Sequence, residues 1–129
     1  MNIPFESKEH QMFFYSCLKK AKNYDPYHQA LFYTMGISET TRARVSQWFD
    51  FKENHIKREV LEQPWQTGGT RRLTRMAFNL WNGYDDGHTT PYDLFDCGYG
   101  KYMLTAIQLR YPEYCLMREQ PKMVENWER

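Results

Sequence analysis

Twice in this chain a capping side chain is followed directly by proline, at Asp25-Pro26 and again at Thr90-Pro91. This pair of signals narrows the fold more than any other feature. Proline has no N–H and holds φ near the helical value, so it suits the first turn of a helix and breaks its interior. The oxygen just before it accepts a bond from the unpaired N–H groups of that turn. The rest of the chain is punctuated in the same way. Ser7 opens a helix from Lys8 to about Lys22, with Phe13, Cys17 and Ala21 on one stripe and Phe14 and Leu18 widening it. Asp25 opens a second helix, to about Met35, and Gly36 is expected to take the left-handed stop. Ser38 caps a third, from Glu39 to about Phe49. After Gly68-Gly69, Thr70 is expected to cap a helix with Leu73, Met76, Ala77, Leu80 and Trp81 in register, and Gly83 stops it. Thr90 starts a short helix to about Asp96, and a last one spans about Tyr99–Arg110 before Pro112. In that last helix Met103, Ile107 and Tyr111 form a stripe that Leu104 widens.

Between Asp50 and Gln66 the periodicity fails and Pro64 forbids a continuous helix, so the stretch reads as an ordered connection. A short helical turn is expected around Glu59–Leu61, with Trp65 as an anchor. No segment alternates with period two. The fold class is therefore all-α: a compact single-domain bundle of about five to six helices with an irregular connection near residues 50–66. Residues 1–118 form the domain, and 119–129 a polar tail expected to be loose.

Aromatic residues make up 17% of the 129, as 10 Tyr, 8 Phe and 4 Trp, which is enough large apolar surface for an aromatic-rich core. Lysines and arginines number 17 against 16 acidic residues, so global charge gives no support to a protein coated in phosphate. Cys17, Cys97 and Cys115 are an odd, widely spaced set with apolar neighbours, which predicts buried thiols rather than a disulfide frame. Met1-Asn2-Ile3-Pro4 leads straight into charge, and no run of about 18 apolar residues follows; the expectation is a cytoplasmic protein without a signal peptide or membrane contact.

The candidate binding residues sit at the start of the clearest helix. Gly68, Gly69, Thr70, Arg71, Arg72 and Arg75 join a flexible turn to a helix N-terminus, where free N–H groups and the dipole favour an anion. The arginines oppose that dipole, a mismatch that an external phosphate or an internal carboxylate such as Glu59 or Glu62 would relieve. No P-loop lysine and no dinucleotide glycine pattern is present. Further cations at Lys19, Lys20, Lys22, Arg42, Arg44, Lys57 and Arg58 either join this face or cover separate solvated helices. Trp48, Phe51 and Trp65 are the candidate protein-binding residues; the competing reading is that such a cluster closes one end of the core. Asp85, Asp86 and His88, with Asp93 and Asp96, match no known metal spacing, so no metal and no cofactor are expected. His88 with Cys97 and His10 with Cys17 lack any group to orient the base, and His28 reads as a core or capping hydrogen bond. No catalytic signature occurs.

The strings YHQALFY (residues 27–33), FDFK (49–52), WQTGGT (65–70), LTRMAFNLWNG (73–83) and LRYPEY (109–114) together resemble a family of small proteins of unknown function from phages and conjugative elements of Gram-positive bacteria. The resemblance covers about residues 9–115 and implies context rather than chemistry. Small proteins on mobile elements often inhibit host defences, CRISPR nucleases included. The leading expectation is thus a small non-enzymatic protein acting by stoichiometric binding, an anti-defence inhibitor such as an anti-CRISPR protein, with a host protein or ribonucleoprotein such as a CRISPR nuclease as partner. The alternative is an RNA- or DNA-binding accessory module using the basic helix start. An enzyme acting on a phosphate-bearing ligand stands third.

Overall fold

Helix α2 (Pro26–Gly36) runs through the middle of the molecule, with every residue from Ala30 to Gly36 buried. A helix that is apolar all round must be covered all round. Here α1 (Lys8–Ala21), α5 (Gly68–Asn82) and α7 (Gly100–Arg110) all pack against it. The computed structural model describes residues 2–116. Shorter helices α3 (Glu39–Arg42), α4 (Val45–Trp48) and α6 (Pro91–Leu94) complete the seven among those residues. A minimal antiparallel ladder pairs β1 (Phe49–Asp50) with β2 (His55–Ile56), Phe49 facing Ile56, and single 3₁₀ turns cover Arg58–Glu62 and Pro112–Tyr114. The molecule is all-α in its broad form. The expected helical turn near residues 59–61 is the first of those 3₁₀ turns, and the ladder is an addition to the expected irregular connection. No helix among the described residues is long and apolar enough to cross a membrane.

The cap chemistry explains most boundaries. Ser7 accepts from the His10 N–H, Asp25 from the His28 N–H, and Thr90 forms a reciprocal pair with Asp93. Gly83 stops α5 at φ 80°, a left-handed conformation in which glycine has no Cβ to clash. Gly36 does something else. It stays within α2, and Ile37 ends that helix at φ −64°. A Cβ at Gly36 would sit 2.8 Å from His10 Cδ2 and 2.9 Å from Phe13 Cδ2, so glycine is present because α1 approaches closely.

The helix expected over 39–49 divides in two. The Thr41 carbonyl accepts from the Trp48 indole N–H at 2.8 Å and from the Arg44 N–H at 3.1 Å. These bonds displace the regular ladder after Arg42, and the Thr41 hydroxyl turns back to the Met35 and Ser38 carbonyls. In α7 the buried positions are Gly100, Met103, Thr105, Ala106 and Leu109, while Leu104 is 58% exposed. The expected stripe holds, with Met103 buried and Ile107 and Tyr111 packed against the core, but it widens through Ala106 and Leu109 and not through Leu104.

The core is aromatic. Trp48, Tyr33, Phe14, Phe32, Phe49 and Phe78 are fully buried. Phe49 meets Phe32 at 5.3 Å and Trp81 at 5.6 Å, both nearly perpendicular, the edge-to-face arrangement that ring quadrupoles favour. Of the three free cysteines only Cys17 is buried, and its thiol is pushed up to about 12 by desolvation; Cys97 and Cys115 are half-buried. The tail at 119–129 lies outside the described residues.

Candidate functional site

Helix α5 begins one turn earlier than its sequence suggests. Thr67, not Thr70, is the cap: its hydroxyl accepts from the Thr70 N–H at 3.1 Å, while the Thr70 hydroxyl accepts from the Thr67 N–H at 2.7 Å. Thr70 is buried and committed to this pair. Gly68 and Gly69 thereby become the first two helical residues. Gly69 lies against the Tyr99 ring, where a Cβ would meet Cε2 at 3.3 Å, and Arg72 folds back so that its Nη1 lies 3.4 Å from the Cβ position of Gly68.

An open groove of about 300 Å³ lies beside this helix start, lined by Gly68, Arg71, Arg72, Arg75, His88 and Asp93. Four of the six residues expected at an anion site, Gly68 and the three arginines, thus line one groove; Gly69 and Thr70 do not. His88 and Asp93 join them, although their sequence context points to turn or metal chemistry and not to an anion site. They arrive because Gly83 ends α5 and the 84–90 loop folds back along it, bringing the α6 cap beside the α5 start.

Each arginine is held through its Nε. Arg71 donates to the Leu61 carbonyl at 3.2 Å, Arg72 to the Asp93 carbonyl at 3.0 Å, and Arg75 to Asp86 Oδ2 at 2.8 Å. Only the third partner is a carboxylate. Among the described residues neither Arg71 nor Arg72 has a carboxylate within salt-bridge distance, and neither Glu59 nor Glu62 forms an ion pair. The internal salt-bridge alternative is therefore not what the geometry forms at Arg71 and Arg72. Their planar heads are oriented by neutral carbonyls and form no direct ion pair among the described residues.

The two acidic residues nearby are otherwise occupied. Partial burial works against ionisation of Asp86, but bonds from Arg75 and the Tyr84 hydroxyl outweigh it and hold the carboxyl below the usual range. Asp93 accepts from the Thr90 hydroxyl at 2.7 Å and the Thr90 N–H at 3.1 Å, which also holds it low. Both carboxylates are thus ionised at neutral pH, and each already accepts hydrogen bonds from its own neighbourhood. The Tyr84 phenol is raised by its own burial and by Asp86 beside it.

The remaining candidates are placed elsewhere. Trp48 is wholly buried, its N–H bonded to Thr41, so it belongs to the core and offers no exposed anchor. Phe51 is half-buried, stacked on Phe32 at 5.7 Å with Lys20 Nζ over its face at 4.5 Å. Trp65 is half-buried under Arg44, its N–H donating to Gln47. The other cations do not converge on the groove. Arg42 bonds the Gly36 carbonyl, Arg44 covers Trp65, Lys57 bonds the Ser46 carbonyl and Arg58 lies over the Tyr84 ring. Asp85 accepts from the Gly87 N–H and the Thr89 hydroxyl within its own turn, and no three His, Cys, Asp or Glu side chains gather as a metal set among the described residues. His10 bonds the Tyr33 carbonyl and the Glu6 N–H rather than Cys17. His28 bridges Asp25 at 2.8 Å and Asn54 at 2.6 Å, as a capping histidine. The groove lining itself holds no serine, threonine or cysteine. Around its open space it presents three guanidiniums, a helix N-terminus, a histidine and one carboxylate.

The chain belongs to DUF6075, a family of unknown function whose model matches residues 1–123. No curated protein matches the chain, and no solved structure does.

Proposed function

We propose that this member of DUF6075 is a binding protein that acts by stoichiometric contact and holds a nucleic-acid phosphate in the groove at the start of α5. One observation carries the reading: among the described residues no carboxylate lies within salt-bridge distance of Arg71 or Arg72, which stand at the positive end of a 15-residue helix. A cation in that position costs up to about 1 kcal/mol. A phosphate placed between the arginines and the helix N-terminus turns the same geometry from repulsive to attractive. Guanidinium suits that task because its planar fork bonds phosphate oxygens in pairs. Pinning each Nε to the protein leaves the terminal N–H groups for a ligand and reduces the entropy lost on binding.

Near-neutral global charge restricts this contact to a few phosphates. Three arginines predict a log–log salt slope of roughly −2 to −3. The test is a fluorescence-anisotropy titration of a labelled oligonucleotide at rising salt. Replacing Arg71 and Arg72 together with Ala should weaken binding and flatten the slope by about 1.4 to 1.8, the share of two phosphate contacts. Absence of binding by the unaltered protein, or equal affinity and slope in the double variant, overturns the proposal.

The anti-defence role fits the same surface. An inhibitor of a CRISPR nuclease can meet the RNA of that ribonucleoprotein through its phosphates, and the resemblance to proteins of phages and conjugative elements supports this setting. A pull-down against CRISPR nucleases with a cleavage assay tests it. Loss of inhibition in the Arg71/Arg72 double variant is expected, and full cleavage in the presence of the unaltered protein removes the role.

A further inference from the structure

A second cavity, about 570 Å³, adjoins the arginine groove and is lined by Arg72, Pro91, Tyr92, Asp93, Phe95 and Asp96. The two spaces share Arg72 and Asp93. Their chemistry differs. The first is cationic. The second is aromatic and acidic: Asp93, which faces three arginines in the first, is joined here by Asp96 and faces Arg72 alone, so a phosphate meets net repulsion. Its volume lies within the range typical of small-ligand sites, about 300–1,000 Å³.

Tyr92 is the unusual residue of the cavity. It is 92% exposed, whereas most of the described aromatic residues are buried or half-buried. Helix α6 displays it on a rigid base: the Thr90–Asp93 pair caps the helix, Leu94 is buried at 1%, and the Arg72 Nε bond to the Asp93 carbonyl ties the segment to α5. That bond fixes the guanidinium to the residue next to Tyr92. An aromatic face and an oriented cation therefore stand side by side, with a carboxylate, Asp96, beyond.

We infer that the two adjoining cavities together receive single-stranded nucleic acid, the phosphate between Arg71 and Arg72 and the neighbouring base stacked on Tyr92. This inference rests on the phosphate reading above and narrows its ligand. A base offers a π-face to the tyrosine and amino N–H groups to Asp96, which a phosphate cannot. In a duplex each base face is covered by its neighbours, so only an unpaired, unstacked base can use the platform.

The experiment compares a labelled single-stranded 12-mer, as RNA and as DNA, with its duplex form by anisotropy. The unaltered protein should prefer the single strand. Tyr92→Ala should weaken single-strand binding by about 5- to 150-fold, the worth of one base–aromatic stack, with duplex binding and the salt slope unchanged. Tyr92→Phe should retain affinity, and Tyr114→Ala, an exposed tyrosine outside both cavities, should match the unaltered protein. Because Tyr92 is on the surface, an unchanged melting temperature verifies that its variants fold. Equal affinity for duplex and single strand, or no effect of Tyr92→Ala while the Arg71/Arg72 double variant loses binding, refutes the base platform and leaves the phosphate site standing. No binding of either form refutes both.

Discussion

Protonating His10 should destabilise this protein by an amount that its surroundings define. The ring has no exposed surface. Its Nε2 lies 2.8 Å from the Tyr33 carbonyl and its Nδ1 3.0 Å from the Glu6 N–H. One nitrogen therefore donates and the other accepts, which requires the neutral ring with its proton on Nε2. Burial is the largest influence and lowers the pKa from 6.5 to about 4; the Arg42 charge adds to this, while the Tyr33 bond and Glu6 oppose it. The folded value lies below the unfolded one, so the unfolded chain binds the extra proton. Stability is complete above about pH 6.5 and is lost as pH falls toward 4. For one such group the loss relative to neutral pH is about 1 kcal/mol at pH 5.5 and about 2 kcal/mol at pH 4.5, as upper values. Acid also protonates Asp25, Asp50, Asp85, Asp86 and Asp93, each held low by hydrogen bonds in the fold. The assay must subtract them. Urea unfolding of the unaltered protein and of His10→Gln, followed by tryptophan fluorescence from about pH 7.5 to 4.5, does so, because the variant keeps every carboxylate and loses only the titrating ring. His10→Gln is expected to be less stable at neutral pH and to lose the smaller amount on acidification, so the two curves converge. Parallel curves would refute the assignment of this acid sensitivity to His10.

Two further changes probe the packing and the site. Gly36→Ala gains up to about 1 kcal/mol in helix propensity but drives a Cβ into His10 and Phe13, a collision expected to cost about 1–3 kcal/mol because His10 is held by two hydrogen bonds. A net fall in the urea midpoint is expected, and an equal or higher midpoint would show that α1 retreats freely. Thr67→Ala removes the α5 cap and should cost about 0.5–2 kcal/mol, largely restored by Thr67→Ser, in the same urea assay. An unchanged midpoint would mean that the Gly68 turn is fixed without its cap.

Much of the fold was legible because its signals are local. Ser7, Asp25-Pro26, Gly83 and Thr90-Pro91 act through bonds to residues three or four places away, and each does in the structure what its chemistry predicts. The errors occur where a distant partner intervenes. Gly36 resembled a stop signal, but its reason is α1 crossing above it. The helix after Ser38 has ordinary helical residues and is broken by the Trp48 indole bonding to Thr41. Thr70 is a good cap residue by type, yet Thr67 captures the role and Thr70 answers it from inside. At the site, a sequence can show three arginines near a glycine pair. It cannot show that two of their Nε groups meet carbonyls rather than carboxylates, because Leu61 and Asp93 lie 10 and 21 residues away.

From sequence alone came the aromatic-rich helical core, most helix starts and the basic helix origin, since capping, proline geometry and apolar spacing operate over a few residues of chain. Tertiary structure alone decided that α2 is the central helix, that Trp48 is sealed inside, and that the 84–90 loop carries His88, Asp93 and the exposed Tyr92 alongside Arg72. Burial and charge compensation depend on which segments meet in space, and that is settled by packing the whole chain at once.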